Sequence, residues 1–492
     1  MTTPAAEATT QETAPAPDYG VLRWLVAATF VVILNETIMI NAIPRLMVDF
    51  NVGATAAQWL STVFMLTMAV VIPITGWFLQ RVSTRSAFGV AMGLFCTGTI
   101  LAACAWAFPI LLVARVVQAS GTAVMMPLLM TTVMAVVPEK DRGKVMGNVT
   151  LAMSVAPALG PAVSGLVLQS LSWRWIFLVV LPIAGGIAVV GLRKLRNVGE
   201  PVVSSVDWLS VVIAAIGFGG LVYGLSEIGS NGRRGTAVVV LVLGVLGIGL
   251  FVWRQILLQR TNTPLLDLRT LKLRTFSLSL GVMAVAFMAM LGSMILLQLY
   301  LQNVRGMSPL ATGMLVMPGG LAMGLLGPRV GKLYDAHGAR VLVIPGVIGL
   351  FVAMAALVFL TATTPTWLIL VIHVTLMVAL AMIFTPVFTI GLGALPPQLY
   401  SHGSSVLGTV QQVAGAMGTA LVVTIMTARS TSLLAGGAST TAAALGGMKW
   451  AFAVSAALCL VVLAFAVLLP ARVSGPTTPV VDDEPDEVAA AA

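Results

Sequence analysis

The 492-residue chain is predicted to be an all-α integral membrane protein with 14 transmembrane helices. Composition, the number of long apolar runs and the placement of basic residues between those runs predict it. Apolar residues make up 59% of the chain and charged residues 9%, against about 25% charged in soluble domains. A soluble fold of this length has too little interior for so much apolar surface. A bilayer accepts that surface directly.

A spanning helix needs about 20 mainly apolar residues. Such runs lie near residues 21–43, 57–79, 87–105, 110–136, 145–170 and 173–192. Two more follow at 208–228 and 236–257, and six at 276–302, 311–328, 341–360, 367–392, 404–427 and 450–469. The connecting segments test this number. Alternating sides from a cytoplasmic N-terminus places 18 Lys and Arg residues on the cytoplasmic side and 7 outside, with Arg115 inside a helix. Lys and Arg accumulate in cytoplasmic loops. The bias therefore predicts a multi-pass protein of the inner (cytoplasmic) membrane with both termini in the cytoplasm. One omitted helix would invert every later loop.

Residues 1–20 are rich in Ala, Thr and Pro, and residues 471–492 carry the acidic run Asp482, Asp483, Glu484, Asp486, Glu487. Both are expected to be disordered cytoplasmic tails. The leader has no basic n-region and the first apolar run is long enough to span, so that helix is expected to stay as an anchor. Cys96, Cys104 and Cys459 lie in apolar runs and form neither a disulfide framework nor a metal motif. The formal charge of +9 is scattered through short loops, so a nucleic-acid partner is not expected, and the lipid bilayer is.

Two segments repeat. The first is Gly76-Trp-Phe-Leu-Gln80-Arg81-Val-Ser83-Thr-Arg85 and the second Gly331-Lys-Leu-Tyr-Asp335-Ala-His-Gly338-Ala-Arg340. Corresponding positions are 255 residues apart, and both are expected as cytoplasmic loops following the second helix of a half. Duplicated halves with a substrate site between them are a common transporter plan. The organisation follows: a six-helix bundle at 21–196, an inserted helix pair at 197–258 and a second six-helix bundle at 259–470.

These segments resemble the loop signature of the major facilitator superfamily, G-x-x-x-D-R-x-G-R-[KR]. The second copy matches at Gly331, Asp335, Gly338 and Arg340. The first keeps Gly76, Arg81 and Arg85 but has Gln80 in place of the usual Asp and Ser83 in place of Gly. Leu34-Asn35-Glu36-Thr-Ile-Met39-Ile-Asn41-Ala-Ile-Pro44 resembles the first-helix motif of fourteen-helix drug:proton antiporters. Arg115-Val-Val-Gln118-Ala-Ser-Gly121 resembles their fourth-helix motif, and Ala158-Leu-Gly160-Pro161-Ala-Val-Ser-Gly165 the fifth-helix motif that marks antiporters. With Gln80-Arg81 and Gln411-Gln412, the pattern is most similar to the lincomycin-resistance-type branch. The resemblance implies a major facilitator fold of two six-helix bundles plus two inserted helices. It also implies a monomeric exporter of hydrophobic or cationic drugs, with lincosamides among the candidate substrates, driven by protons. Export of an endogenous metabolite or lipid, or symport, would use the same residues and stays open.

Chemistry singles out the same positions. Glu36 is the acidic residue deep in the first span, and an ionisable group there is a functional candidate by default. Arg115 is the one Lys or Arg well inside a span. Counting a 1.5 Å rise per residue from the span ends puts both roughly 8–10 Å below the outer surface. They are expected to communicate directly or through Gln118 or water, and to carry the proton. Gly160, Pro161 and Gly165 are expected to break the fifth helix and seal the cavity by close packing. Asp335 with Lys332 and Arg340 is expected to form a cytoplasmic latch. Asn35, Met39, Met125, Met126, Gln298, Tyr300 and Phe388 are candidate substrate contacts, because Met and aromatic surfaces adapt to varied apolar ligands. His373 is expected to be structural. There is no phosphate-binding G-x-x-x-x-G-K-[ST], no HExxH, no GxSxG and no metal cluster in the sequence, so neither an ATPase nor another enzyme is expected. No cofactor is expected, only an ion gradient. One proton crossing 100 mV supplies about 2.3 kcal/mol.

Overall fold

The computed structural model describes residues 20–40, 42–198, 207–227, 234–261 and 264–472. The expected tails at 1–19 and 473–492, Asn41, and the linker 199–206 into the inserted pair lie outside the described residues. Fifteen α-helices stand among those residues, and fourteen are long and apolar enough to cross a membrane. The first part of the chain holds α1 (Gly20–Ile40), the short α2 (Ile43–Asp49), α3 (Ala54–Arg81), α4 (Thr84–Ala103), α5 (Phe108–Val136), α6 (Arg142–Ser170) and α7 (Arg174–Lys194). The inserted pair is α8 (Trp208–Glu227) and α9 (Arg234–Leu258). The rest is α10 (Arg274–Leu299), α11 (Pro309–His337), α12 (Arg340–Val358), α13 (Thr366–Gly393), α14 (Tyr400–Ala435) and α15 (Thr440–Leu468). In lipid every backbone polar group must be satisfied within the protein, so a spanning segment that is not part of a closed barrel has to be helical. Pro73, Pro127, Pro182, Pro318, Pro328 and Pro386 are accommodated inside helices.

The main difference from the predicted elements is helix length. The tenth span, expected to stop at 328, continues to His337. Gly331 and Asp335 therefore sit on the last turns of α11, and Gly76, Gln80 and Arg81 on α3, rather than in loops. An apolar run ends at the first charges, whereas a helix continues beyond them, because its backbone bonds do not depend on side-chain polarity. The connections proper begin later. Ser83 caps α4 by accepting the Ser86 amide, and Gly338 closes α11 at φ 83°, a conformation that favours glycine.

Helix contacts obey a two-fold relation. The pairings α4–α5, α4–α7, α3–α5, α1–α6, α1–α7 and α1–α5 recur as α12–α13, α12–α15, α11–α13, α10–α14, α10–α15 and α10–α13. Between the halves, α6–α11 and α13–α6 recur as α14–α3 and α14–α5. One end of the bundle gathers Arg81, Arg85, Lys140, Arg142, Lys144, Lys332 and Arg340 at the ends of helices; it is called the basic end below.

The halves meet closely there. A Cβ on Gly331 would stand 2.0 Å from the Gly143 carbonyl oxygen, one on Gly147 2.3 Å from that of Gly327, and one on Gly143 2.4 Å from an Asp335 oxygen. Glycine alone allows α6 and α11 this approach. The symmetry-related seam is looser. A Cβ on Gly76 would lie 3.0 Å from His402 Nδ1, and one on Gly408 3.1 Å from Ile72. Gly331→Ala should therefore destabilise the protein by about 1–3 kcal/mol, read as a lower melting temperature in detergent. Gly93→Ala, with open space around the new methyl, should be neutral or stabilising by a few tenths of a kcal/mol to about 1 kcal/mol.

Candidate functional site

The first half carries a polar cluster in its interior. Arg115 on α5 is 1% exposed. Its Nε donates to the Leu60 carbonyl of α3 at 3.3 Å and its Nη1 to Gln118 Oε1 at 3.1 Å. Gln118 Nε2 donates to Thr99 Oγ1 of α4 at 2.9 Å, and Thr99 donates to the Phe95 carbonyl at 2.7 Å. The guanidinium lies over the Phe64 ring, 4.1 Å from its centre, a favourable cation–π arrangement in a desolvated setting. Arg115 is thus held inside the bundle from three helices and does not reach outward along its stem.

Glu36 on α1 is half-buried. Coulombic attraction couples it to Arg115. No ion pair within 4.0 Å joins the two: the ion pairs among the described residues are Arg254–Asp207 and Arg269–Asp267. Beside Glu36, Asn35 is fully buried, and both its side-chain polar atoms lack a partner among the described residues. Glu36 is therefore within electrostatic range of Arg115 without forming an ion pair with it, and its chain neighbour Asn35 is a buried amide.

The fifth-helix motif is not a break. Helix α6 runs unbroken from Arg142 to Ser170 through Gly160 and Gly165; the side chain of Pro161 lies outside the described residues. Pro157 and Pro161 fit because a spanning helix can re-satisfy a freed carbonyl locally. The close approach is at Gly160 alone. A Cβ there would stand 2.4 Å from Thr37 Oγ1 and 2.8 Å from Thr37 Cβ. Thr37 follows Glu36 directly, so α6 is pressed against the turn of α1 that carries the carboxylate. At Gly165 a Cβ would make an ordinary 3.4 Å contact with Leu310.

Asp335 has different partners from those expected. Its Oδ1 accepts the Gly143 amide and its Oδ2 the Lys144 amide, both at 2.8 Å, so the carboxylate caps the N-terminus of α6 across the halves. Exposed amides and the helix dipole favour an anion there. Lys332 is not its partner, and Arg340 instead donates to the Leu469 carbonyl. The repeat places Gln80 where Asp335 stands, and adding the same 255 residues to Gly143 gives Gln398. Gln80 Nε2 donates to the Gln398 carbonyl at 3.0 Å. The two copies make symmetry-related contacts with opposite hydrogen-bond polarity. Arg81 stacks on Trp77, its guanidinium 4.2 Å from the ring centre, and donates to the Trp77 carbonyl, and the Arg85 amide bonds Asn197.

Other contacts across the halves were not singled out in the sequence. Arg142 donates to Tyr400 Oη at 3.2 Å, Thr131 and Ser404 share a hydrogen bond of 2.8 Å, and Thr150 and Thr385 one of 2.9 Å. All lie in the halves of their helices nearest the basic end. Their signal was weak, since Ser and Thr in membrane helices commonly bond their own backbone.

The candidate substrate contacts separate. Tyr300 is buried in a single π-helical turn, Tyr300–Val304, and its hydroxyl donates to the Thr361 carbonyl at 2.7 Å, so it is a structural tie. Met39 and Met125 are fully buried, Met126 is half-buried and Gln298 is exposed. Phe388 is buried against Phe384, which in turn meets Phe287. These aromatics lie in the second half. His373 Nε2 lies 3.2 Å from the Val316 carbonyl and ties α13 to α11. Among the described residues no group of three or more His, Cys, Asp or Glu is placed to hold a metal.

Two pseudo-symmetric six-helix halves, the first with a buried polar cluster in its interior, define a multi-pass membrane transport fold. The chain belongs to the Major Facilitator Superfamily, whose family model matches residues 25–419. It is 39% identical over 451 residues to the MFS-type transporter YcnB of Bacillus subtilis (strain 168), spanning 91% of this chain and 94% of that one. It is 39% identical over 405 residues to the lincomycin resistance protein LmrB of Listeria innocua, spanning 82% and 85%. Among solved structures, the human organic anion transporter MFSD10 matches with a TM-score of 0.64 at 13% identity, covering 92% of this chain and 100% of that one. The proton:xylose symporter XylE matches at 0.63 and 14%, covering 92% and 96%. At such identities the likeness concerns the fold.

Gly160→Val should push α1 off α6 and abolish transport while the protein still reaches the membrane. Thr37→Ala on that background, which removes the 2.4 Å neighbour, should restore a measurable part of the activity in the same uptake or efflux assay.

Proposed function

We propose that the protein is a proton-coupled antiporter that exports hydrophobic or cationic drugs across the cytoplasmic membrane by alternating access. The observation that carries this reading is Glu36, a membrane-embedded carboxylate on the turn of α1 packed by Gly160, in the same half as buried Arg115 with no ion pair between them. A carboxyl so placed changes protonation when its surroundings change: burial favours the neutral acid and a nearby cation favours the anion. Movement of α1 against α5 alters that balance, so proton uptake and release follow the access state. Gln118 and Thr99 hold Arg115 in place while this happens, and Gly160 keeps α6 against the carboxylate's turn.

Drug export is supported by relatives bearing the name lincomycin resistance protein and by the half-buried Met126 and the Phe287, Phe384 and Phe388 cluster, which suit apolar ligands. The basic end is assigned to the cytoplasm by the positive-inside rule, which puts both termini inside. The arrangement described is then closed to the cytoplasm. The inward proton gradient is the energy source, no cofactor takes part, and the protein works as a monomer.

Everted vesicles with a luminal pH probe test this. Adding lincosamides or cationic dyes to energised vesicles should release protons in the parent and not in Glu36→Gln. Release in both would move the proton elsewhere, and no release with any compound would contradict the antiport reading. A double-mutant cycle of Glu36→Gln with Arg115→Gln should give transport losses that are not additive, by about 0.5–3 kcal/mol; strict additivity would contradict coupling of the pair.

A further inference from the structure

The inserted pair does not float at the periphery. Helix α8 packs on both α3 and α14, the two helices that form the looser seam between the halves. Trp59 of α3 meets Tyr223 of α8, ring centres 5.7 Å apart, and a Cβ on Gly219 would touch Val70 of α3 at 3.4 Å. Helix α9 is bound to α8 through backbone-close glycines: a Cβ on Gly244 would stand 2.4 Å from the Leu221 nitrogen and one on Gly217 2.9 Å from the Ile248 nitrogen. The hairpin is thus a stiff unit seated over the seam.

A polar chain leads from that hairpin to the seam itself. Arg254 on α9 grips Asp207 at the head of α8 through two bonds of 2.7 and 2.8 Å, and these hold the Asp207 carboxyl below the usual range. Ser210 donates to Asp207, and Gln255 Nε2 donates to Ser210 Oγ at 2.8 Å. Fully buried Gln255 then accepts the amides of Leu265 and Leu266 at 2.8 and 3.1 Å. The next residue, Asp267, donates its amide to His402 Nδ1 at 3.3 Å. His402 on α14 is the residue against which Gly76 of α3 packs, 3.0 Å from a Cβ placed there. The links from Ser210 and Gln255 through the 265–267 linker to His402 are buried, and in a buried network every bond must be kept or a polar group is stranded.

We propose that the inserted hairpin is a positioning strut for the α3–α14 closure, acting through Asp207, Ser210, Gln255 and the 265–267 linker on His402. Nothing in the hairpin touches substrate in this role. It fixes the register in which α14 meets α3, so that Gly76 and Gly408 face His402 and Ile72 when the basic end is shut. Opening that end requires α14 to move away from α3, and the linker bonds resist it.

The test is cysteine accessibility in the full-length protein with Cys96, Cys104 and Cys459 replaced by Ala. Ser405→Cys places a thiol at a fully buried position on α14, whose hydroxyl lies 3.1 Å from a Cβ on Gly76. A small thiol reagent is applied to everted vesicles. Gln255→Leu, and the milder Ser210→Ala, should each speed labelling at position 405 by about five-fold, the effect of weakening one or two buried hydrogen bonds. Trp253→Leu, on the exposed face of α9, should label at the parental rate. Parental rates in both network variants at normal membrane levels would overturn the strut, as would an equal increase in Trp253→Leu. The readout needs neither substrate nor proton gradient, so failure of the export reading would leave it unchanged.

Discussion

The arrangement rests on the contact of α6 with α11 at the basic end. Two helices approach until the Gly331 Cα faces the Gly143 carbonyl, and the Asp335 carboxylate completes the contact by taking two amides of the α6 N-terminus. Between apolar helices in lipid there is no hydrophobic force to bring them together, so close van der Waals packing and hydrogen bonds across the interface do it. The same contact fixes how far the halves are rotated. Helix α6 runs from that contact at its N-terminal end to Gly160, which packs on Thr37 beside Glu36. One helix therefore links the closed basic end to the turn that carries the embedded carboxylate.

The two-fold relation makes the asymmetries informative. Asp335 accepts amides at one seam, while Gln80 donates to a carbonyl at the other. A charged cap on a helix N-terminus is stronger than a neutral amide–carbonyl bond, so the α6–α11 seam is the firmer of the two. The weaker α3–α14 seam is where the inserted hairpin sits. The ionisable pair Glu36 and Arg115 lies wholly in the first half, and the aromatic cluster Phe287, Phe384, Phe388 in the second.

Much of this could be read from the residues. Fourteen spans follow from apolar runs, because length and hydropathy suffice to define a spanning helix. The repeat pointed to Gly76 and Gly331, and depth counting put Glu36 near Arg115. Three things could not be read. The partner of Asp335 is a pair of backbone amides, which leave no trace in side-chain identity; charge pairing suggested Lys332 and Arg340 instead. The rotation of each helix is hidden, since lipid-facing and interior positions are alike apolar, and so the sequence does not separate buried Tyr300, Met39, Met125 and Phe388 from exposed Gln298. Pro161 suggested a break because proline disrupts soluble helices, yet α6 continues through it.

If closure and protonation are one coupled event, the population of the closed basic end must follow the state of Glu36. The direct measurement is the distance distribution between spin labels at exposed Lys140 and His337, on opposite sides of the α6–α11 seam. It is recorded in lipid nanodiscs at neutral and at acidic pH, for the parent and for Glu36→Gln. The parent should redistribute between a short and a long distance on acidification, and Glu36→Gln should hold one distribution at both pH values. The same pH response in both proteins would contradict the account.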